Sequence, residues 1–183
     1  GKRIAVLDID FHHGNGTEAA LMDVNNSLFI SLHQIPAYPG TGITSFSNIL
    51  NIPLPPGTDE NLYLKVFRKV VIPRIVDFDP DAIGVSFGAD SHFLDAHRLW
   101  PSDDLRMTCN GYREIARDLK KISGTFWVLE GGYTLQSLAL SIGSVVYELA
   151  GISKKFEEGE KPAPSSPKTQ KTVESLIRNS VKA

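Results

Sequence analysis

Short apolar runs that stop at an acid or a glycine constrain this chain more than any other feature of it. Ile4, Ala5, Val6 and Leu7 form one such continuous run, the pattern of a strand buried on both faces of a parallel sheet. The run passes directly into Asp8-Ile9-Asp10-Phe11-His12-His13-Gly14-Asn15-Gly16-Thr17. Side chains two apart in an extended strand share a face, which puts Asp8, Asp10 and His12 on one side of the chain. A carboxylate and an imidazole on that face suit a borderline cation such as Zn²⁺, and the glycines behind them let the backbone turn sharply. An Asp that caps a following helix and a His that pairs with it would give the same letters, so this stretch alone does not decide.

A second run does. Ala82-Ile83-Gly84-Val85-Ser86-Phe87-Gly88-Ala89-Asp90 repeats the grammar, placing Asp90 at the carboxyl end of a parallel strand, where open α/β sheets gather their ligands. Two acids and one imidazole converging from separate strand ends make a three-ligand site with an open coordination position, the catalytic rather than the structural pattern. The third run, Phe126-Trp127-Val128-Leu129, ends in Glu130-Gly131-Gly132-Tyr133. A phenol at that point can donate a hydrogen bond to an oxyanion.

These motifs, together with Ser31-Leu32-His33 and Tyr38-Pro39-Gly40-Thr41-Gly42, occur in an order that resembles the zinc-dependent histone deacetylase family along most of the chain. That family includes acetylpolyamine amidohydrolases and acetoin-utilisation proteins, and it shares its α/β fold with arginases. The resemblance implies a mostly parallel sheet flanked by helices. It also implies an amidohydrolase that removes acetyl or other acyl groups from lysine side chains or related amines by metal-activated water. Residue by residue, Asp10, His12 and Asp90 match the zinc ligands, and Tyr133 matches the tyrosine that supports the oxyanion. Tyr38, with Gly131 and Gly132, matches the channel that takes the acyl-lysine, although Ala37 stands where the family often has a second aromatic. Asp8, Asp10, His12, Ser31 and Leu32 match a site for a monovalent cation, usually K⁺, whose charge would balance the extra buried acid. Asp95, His97 and Arg98 follow the third ligand and are expected at the pocket mouth. His13 is expected to pack or hydrogen-bond behind His12.

In the family a tandem His-His-Ala segment, placed ahead of the first metal-bearing strand, handles protons, and His12-His13 does not match it. By this resemblance residues 1–152 read as the carboxyl-terminal portion of a deacetylase domain. The chain alone is then expected to be inactive and to need the missing amino-terminal part of the same domain. Two other readings stay open: an arginase-like ureohydrolase, for which Gly88-Ala89-Asp90-Ser91 lacks a second carboxylate, and a catalytically silent binding module. Leu129-Glu130-Gly131-Gly132-Tyr133 looks more like the class II enzymes and their prokaryotic relatives, which leaves protein acetyl-lysine, acetylated polyamines and other acylamines open as substrates.

Composition narrows the setting. With 183 residues, 42% hydrophobic and a net charge of −2, the chain can bury a real core and carries no basic nucleic-acid footprint. No apolar run approaches the roughly 20 residues of a membrane span. Cys109 is the single cysteine, which excludes a disulfide within the chain and fits a reducing, cytoplasmic setting. The oligomeric state is not legible. Along the chain, residues 18–22 read as a short helix, 28–32 as a strand, 36–42 as a Pro/Gly loop and 49–54 as a further apolar segment. Leu62, Val66, Val70 and Val71 give 60–78 helical spacing, with Pro73 expected to kink or end it. Residues 108–122 read as an amphipathic helix and 135–149 as a largely buried one. Residues 153–167 read as a solvated linker, after which Ser166 and Pro167 cap and open a terminal helix over 168–183.

Overall fold

The computed structural model describes residues 1–95, 103–154 and 156–181. Five strands, β1 (Ile4–Asp8), β2 (Ser27–Gln34), β3 (Ile49–Leu54), β4 (Ala82–Phe87) and β5 (Thr125–Leu129), form one sheet in the order β3-β2-β1-β4-β5 with every pair parallel. The continuous apolar runs are thus buried in a parallel sheet, as their lack of alternation requires. The chain starts in the middle, builds β2 and β3 on one side, then crosses over to build β4 and β5 on the other. Strand order therefore reverses at β1, and the crevice for a ligand opens beyond the carboxyl ends of β1 and β4.

The helices are α1 (Asn15–Leu21), α2 (Glu60–Val66), α3 (Ile72–Phe78), α4 (Cys109–Leu119), α5 (Leu135–Leu149) and α6 (Pro167–Ser180). The 60–78 helix does not end at Pro73. A π-turn over Phe67–Val71 precedes it, with the Ile72 amide bonding the Phe67 carbonyl, and this wider turn shifts the hydrogen-bond register so that Pro73 falls in the first turn of α3. A missing N–H costs nothing there. The core forms where β1, β2 and β4 meet α2, the π-turn and α4, with Leu7, Ile30, Leu32, Phe67, Ile75 and Tyr112 fully buried.

The expectation that α5 is largely buried is wrong for half of its surface. Its inward residues are Ser137, Ser141, Ser144, Val145 and Glu148, and Ser144 Oγ donates to the Cys109 carbonyl at 2.6 Å. Small serines let α5 lie close against α4, which turns Leu135, Val146 and Leu149 outward. Residues 156–166 carry no regular structure and are pinned by the pair Ser165–Asp59 and by Cys109 N–H to Glu158. Ser166 Oγ then accepts from Thr169 N–H at 3.1 Å, Pro167 opens α6, and Val173 seats it in the core. Among the described residues no helix is long and apolar enough to cross a membrane.

Candidate metal centre

Sheet pairing carries the ligands to one point. β1 ends at Asp8, but Ile9 N–H still bonds the Ser86 carbonyl of β4 at 3.0 Å, which holds the following turn against β4. Asp90 lies just past β4 in a 3₁₀ turn, Ala89–Ser91. One oxygen of Asp90 accepts from Phe11 N–H at 2.9 Å, tying the two strand ends together. The other, Oδ2, stands 3.3 Å from His12 Nδ1; it is buried and accepts no hydrogen bond among the described residues. Asp10 Oδ1 lies 3.2 Å from the same nitrogen and accepts from His12 N–H, while Asp10 Oδ2 accepts from Gly131 N–H at 3.2 Å. One ligand atom each from Asp10, His12 and Asp90 lies within 4.8 Å of the others.

The electrostatics call for a cation at this point. Burial would lower the His12 pKa, but the Asp10 and Asp90 carboxylates outweigh it and raise it to about 10. Against burial, His12 holds the Asp10 carboxyl below its usual range, whereas burial raises that of Asp90. A proton on His12 thus does the neutralising that a divalent ion would do in its place. The donor set, one imidazole nitrogen and two carboxylate oxygens with one of these buried and unsatisfied, fits Zn²⁺ with a coordination position to spare.

Two glycines make the approach possible. A Cβ at Gly88 would fall on Asp10 Oδ2 and lie 2.5 Å from the Asp10 Cα; one at Gly131 would lie 2.6 Å from Asp90 Oδ2 and 2.7 Å from Asp10 Oδ2. Gly131 is therefore packed beneath the carboxylates. Gly88 was not singled out from sequence, although its place two residues before Asp90 in Gly-Ala-Asp was the available signal.

Asp8 stands apart from the trio. Alternation holds only to the end of β1, after which the chain turns, so Asp8 instead accepts from Asp10 N–H at 3.0 Å and packs against Gly14. Burial, helped by the Asp10 carboxylate and opposed by that amide, raises its pKa to about 8. Ser31 and Ser86 flank it in register. Ser31 Oγ is 2.9 Å from His33 Nδ1, and Leu32 is fully buried beside it. His13 points away from the trio: Nδ1 is 2.8 Å from Thr41 Oγ1, and Nε2 is 3.0 Å from Glu18 and 3.1 Å from Asn51. Its ring lies 4.7 Å from that of His33.

Two aromatic residues rim the crevice. Tyr38 is 79% exposed, with its ring edge-on to that of His12 at 6.2 Å. Tyr133 is 65% exposed, and slight burial together with the carboxylates of Asp90, Asp10 and Asp95 raises its pKa, which keeps the hydroxyl a donor. Asp95 is buried rather than at an open mouth, and its Oδ2 accepts from Tyr133 N–H at 2.8 Å and Thr134 N–H at 3.0 Å. His97 and Arg98 lie outside the described residues.

Comparison with known proteins identifies the family and the fold. Residues 1–149 match the histone deacetylase domain. The chain belongs to the histone deacetylase family. It is 36% identical over 175 residues to the chloroplastic histone deacetylase 14 of Arabidopsis thaliana, covering 88% of this chain and 40% of that one. It is 38% identical over 164 residues to a probable deacetylase of Archaeoglobus fulgidus, covering 82% and 43%. Among solved structures, the HDA15 HD domain superposes with a TM-score of 0.80 at 28% identity, covering 99% of this chain and 52% of that one. The histone deacetylase Clr3 superposes with a TM-score of 0.79 at 30% identity, covering 96% and 31%. The fold is thus the arginase/deacetylase fold, and the chain spans about 40% of the length of the curated relatives it matches.

Proposed function

We propose that residues 1–183 carry the metal-holding and oxyanion-stabilising part of a zinc-dependent amidohydrolase that removes acetyl or other acyl groups from lysine side chains or related amines. The observation that carries this reading is the convergence of Asp10, His12 and Asp90 with the Asp90 Oδ2 atom buried and unsatisfied. Zn²⁺ held there supplies Lewis acidity to a carbonyl and lowers the pKa of a water. Asp10 and Asp90 hold their oxygens in place through the Gly131 and Phe11 amides. Tyr133, whose pKa is raised by burial and then by the nearby carboxylates, offers its hydroxyl to the oxygen on which charge develops. Tyr38 and the Gly131-Gly132 backbone border the acyl-lysine channel, where a flat ring can lie against an alkyl chain. A monovalent cation, K⁺ in this reading, would be held by Asp8, Ser31 and Leu32 together with Asp10 and His12, and would offset the charge of ionised Asp8.

Among the described histidines other than His12, His13 and His33 are engaged in the 41–51 region, and His92 stands 3.5 Å from Glu158. By the family resemblance, the proton-transferring base would come from a tandem His-His-Ala segment, which no stretch of residues 1–183 matches. Phe126, Val128, Leu135 and Val146, exposed along β5 and α5, are the face against which that segment would pack. Residues 1–183 alone are expected to bind metal without useful turnover, since a positioned base typically contributes ~10²–10⁴ in rate. Assay of the zinc-loaded full-length protein on an acetyl-lysine peptide tests the reading. Chelator-sensitive hydrolysis supports it, and a zinc-replete protein that leaves both acetyl-lysine and acetylated polyamines intact contradicts it.

A further inference from the structure

The loop that delivers Tyr133 is secured at its start and loose where the tyrosine sits. Glu130 N–H bonds the Phe87 carbonyl at 2.9 Å, Ala89 N–H bonds the Gly131 carbonyl at 2.9 Å, and Gly131 N–H bonds Asp10. Gly132 follows with φ near 122°, a conformation that an L side chain rarely adopts and that turns the chain toward Tyr133. Tyr133 itself is largely exposed, and packing does not fix it. Beyond it α5 begins, and the Thr134 side chain makes no capping hydrogen bond.

Both backbone amides past Gly132, those of Tyr133 and Thr134, are instead held by one carboxylate oxygen of Asp95, itself buried and five residues beyond the metal ligand Asp90. Charge-assisted hydrogen bonds of this kind are about twice as strong as neutral ones. A carboxylate just ahead of α5 also complements the positive end of that helix. Asp95 comes from the same segment as Asp90, so this carboxylate fixes the tyrosine in the frame of the metal site.

We infer that Asp95 is a positioning residue for Tyr133, setting where the phenol hydroxyl stands relative to the metal-ligand trio. The inference rests on the role proposed above for Tyr133. Misplacing a reacting group by about 1 Å can cost on the order of 10²-fold in rate. In the zinc-loaded full-length protein, Asp95→Ala is expected to lower kcat by roughly 10–100-fold with KM and zinc content unchanged. Asp95→Asn, whose amide oxygen can still accept both N–H groups, recovers most of that loss. In a Tyr133→Phe background Asp95→Ala costs nothing further, because the group it positions is gone.

The double-mutant design separates the two ideas. If Tyr133→Phe leaves turnover unchanged, the oxyanion role fails and this inference falls with it. If Tyr133→Phe is slow but Asp95→Ala multiplies the loss in both backgrounds, the oxyanion role stands and the positioning role is overturned. Should Asp95→Ala not fold, Asp95→Glu, which keeps the charge but moves it by one methylene, carries the same comparison; failure of both to fold assigns Asp95 to the scaffold alone and also overturns the inference.

Discussion

On one side of β1, every residue of β2 from Ser27 to Gln34 is buried, and β3 lies beyond it. On the other side, β4 is flanked by β5, where Phe126, Val128 and Leu129 are each about half exposed, and α5 turns Leu135 outward at 81% exposure. The trio Asp10, His12 and Asp90 hangs from β1 and β4, two of the three strands with neighbours on both edges. Tyr133 hangs from β5, the open edge. The proposed metal centre is thus built on interior strands. The loop that carries Tyr133, the proposed oxyanion donor, instead depends on local ties, chiefly the Asp95 carboxylate.

The sharpest way to test that contrast is Tyr133→Phe in the full-length protein. Removing one oxyanion donor should slow acetyl-lysine turnover by ~10²–10³-fold while hydroxamate binding and zinc content persist. Unchanged turnover would remove Tyr133 from the chemistry and leave the open flank with no catalytic part.

Next in size is a stability comparison across β1. Ile30→Ala on the closed flank should cost about 2–5 kcal/mol by leaving a cavity in a close-packed core. Phe126→Ala on the open flank should cost less than about 1.5 kcal/mol in the isolated chain, because its ring covers Gly84 but stays half in water. Equal losses in urea titrations would show that the β5 flank is as well packed as its opposite.

The smallest effect concerns Glu148, which ties α5 to α4. Burial would raise its pKa, but Lys120, Arg113 and Arg117 outweigh it and hold it down to about 2 from an ordinary 4.5. A depressed carboxyl contributes stability that is fully present above about 4.5 and is lost as pH falls through about 2. Glu148→Gln should therefore lower stability at neutral pH by about 1.5 kcal/mol and flatten the decline of Tm between those two pH values. A variant with the same acid limb as the wild type would show that the cations are held by other means.

How far the sequence reveals these features depends on where the partners lie. Asp10, His12 and Asp90 are legible because each sits a fixed short step past an apolar run, and a parallel sheet brings such ends together. Ser166 and Pro167 are legible for a similarly local reason, since a cap and its amide are three residues apart. Asp95 is not, because it meets backbone amides 38 and 39 residues further on, and an amide leaves no mark in residue type. The orientation of α5 is hidden as well: its serines read as neutral, yet they are what α4 admits to close contact. The helix continues through Pro73 because of a π-turn that has no composition of its own, so that half of the expectation could not be settled from residue types.

The central claim is that Asp10, His12 and Asp90 are the ligands of one zinc ion, with the β5 flank contributing the Gly131 amide that steadies Asp10. Metal analysis of the purified, folded chain after zinc loading and exhaustive dialysis tests it directly, with Asp90→Ala beside it and circular dichroism to confirm that both are folded. The account predicts close to one zinc per chain in the parent and most of it lost in Asp90→Ala. Full zinc occupancy in folded Asp90→Ala, or none in the folded parent, would contradict it.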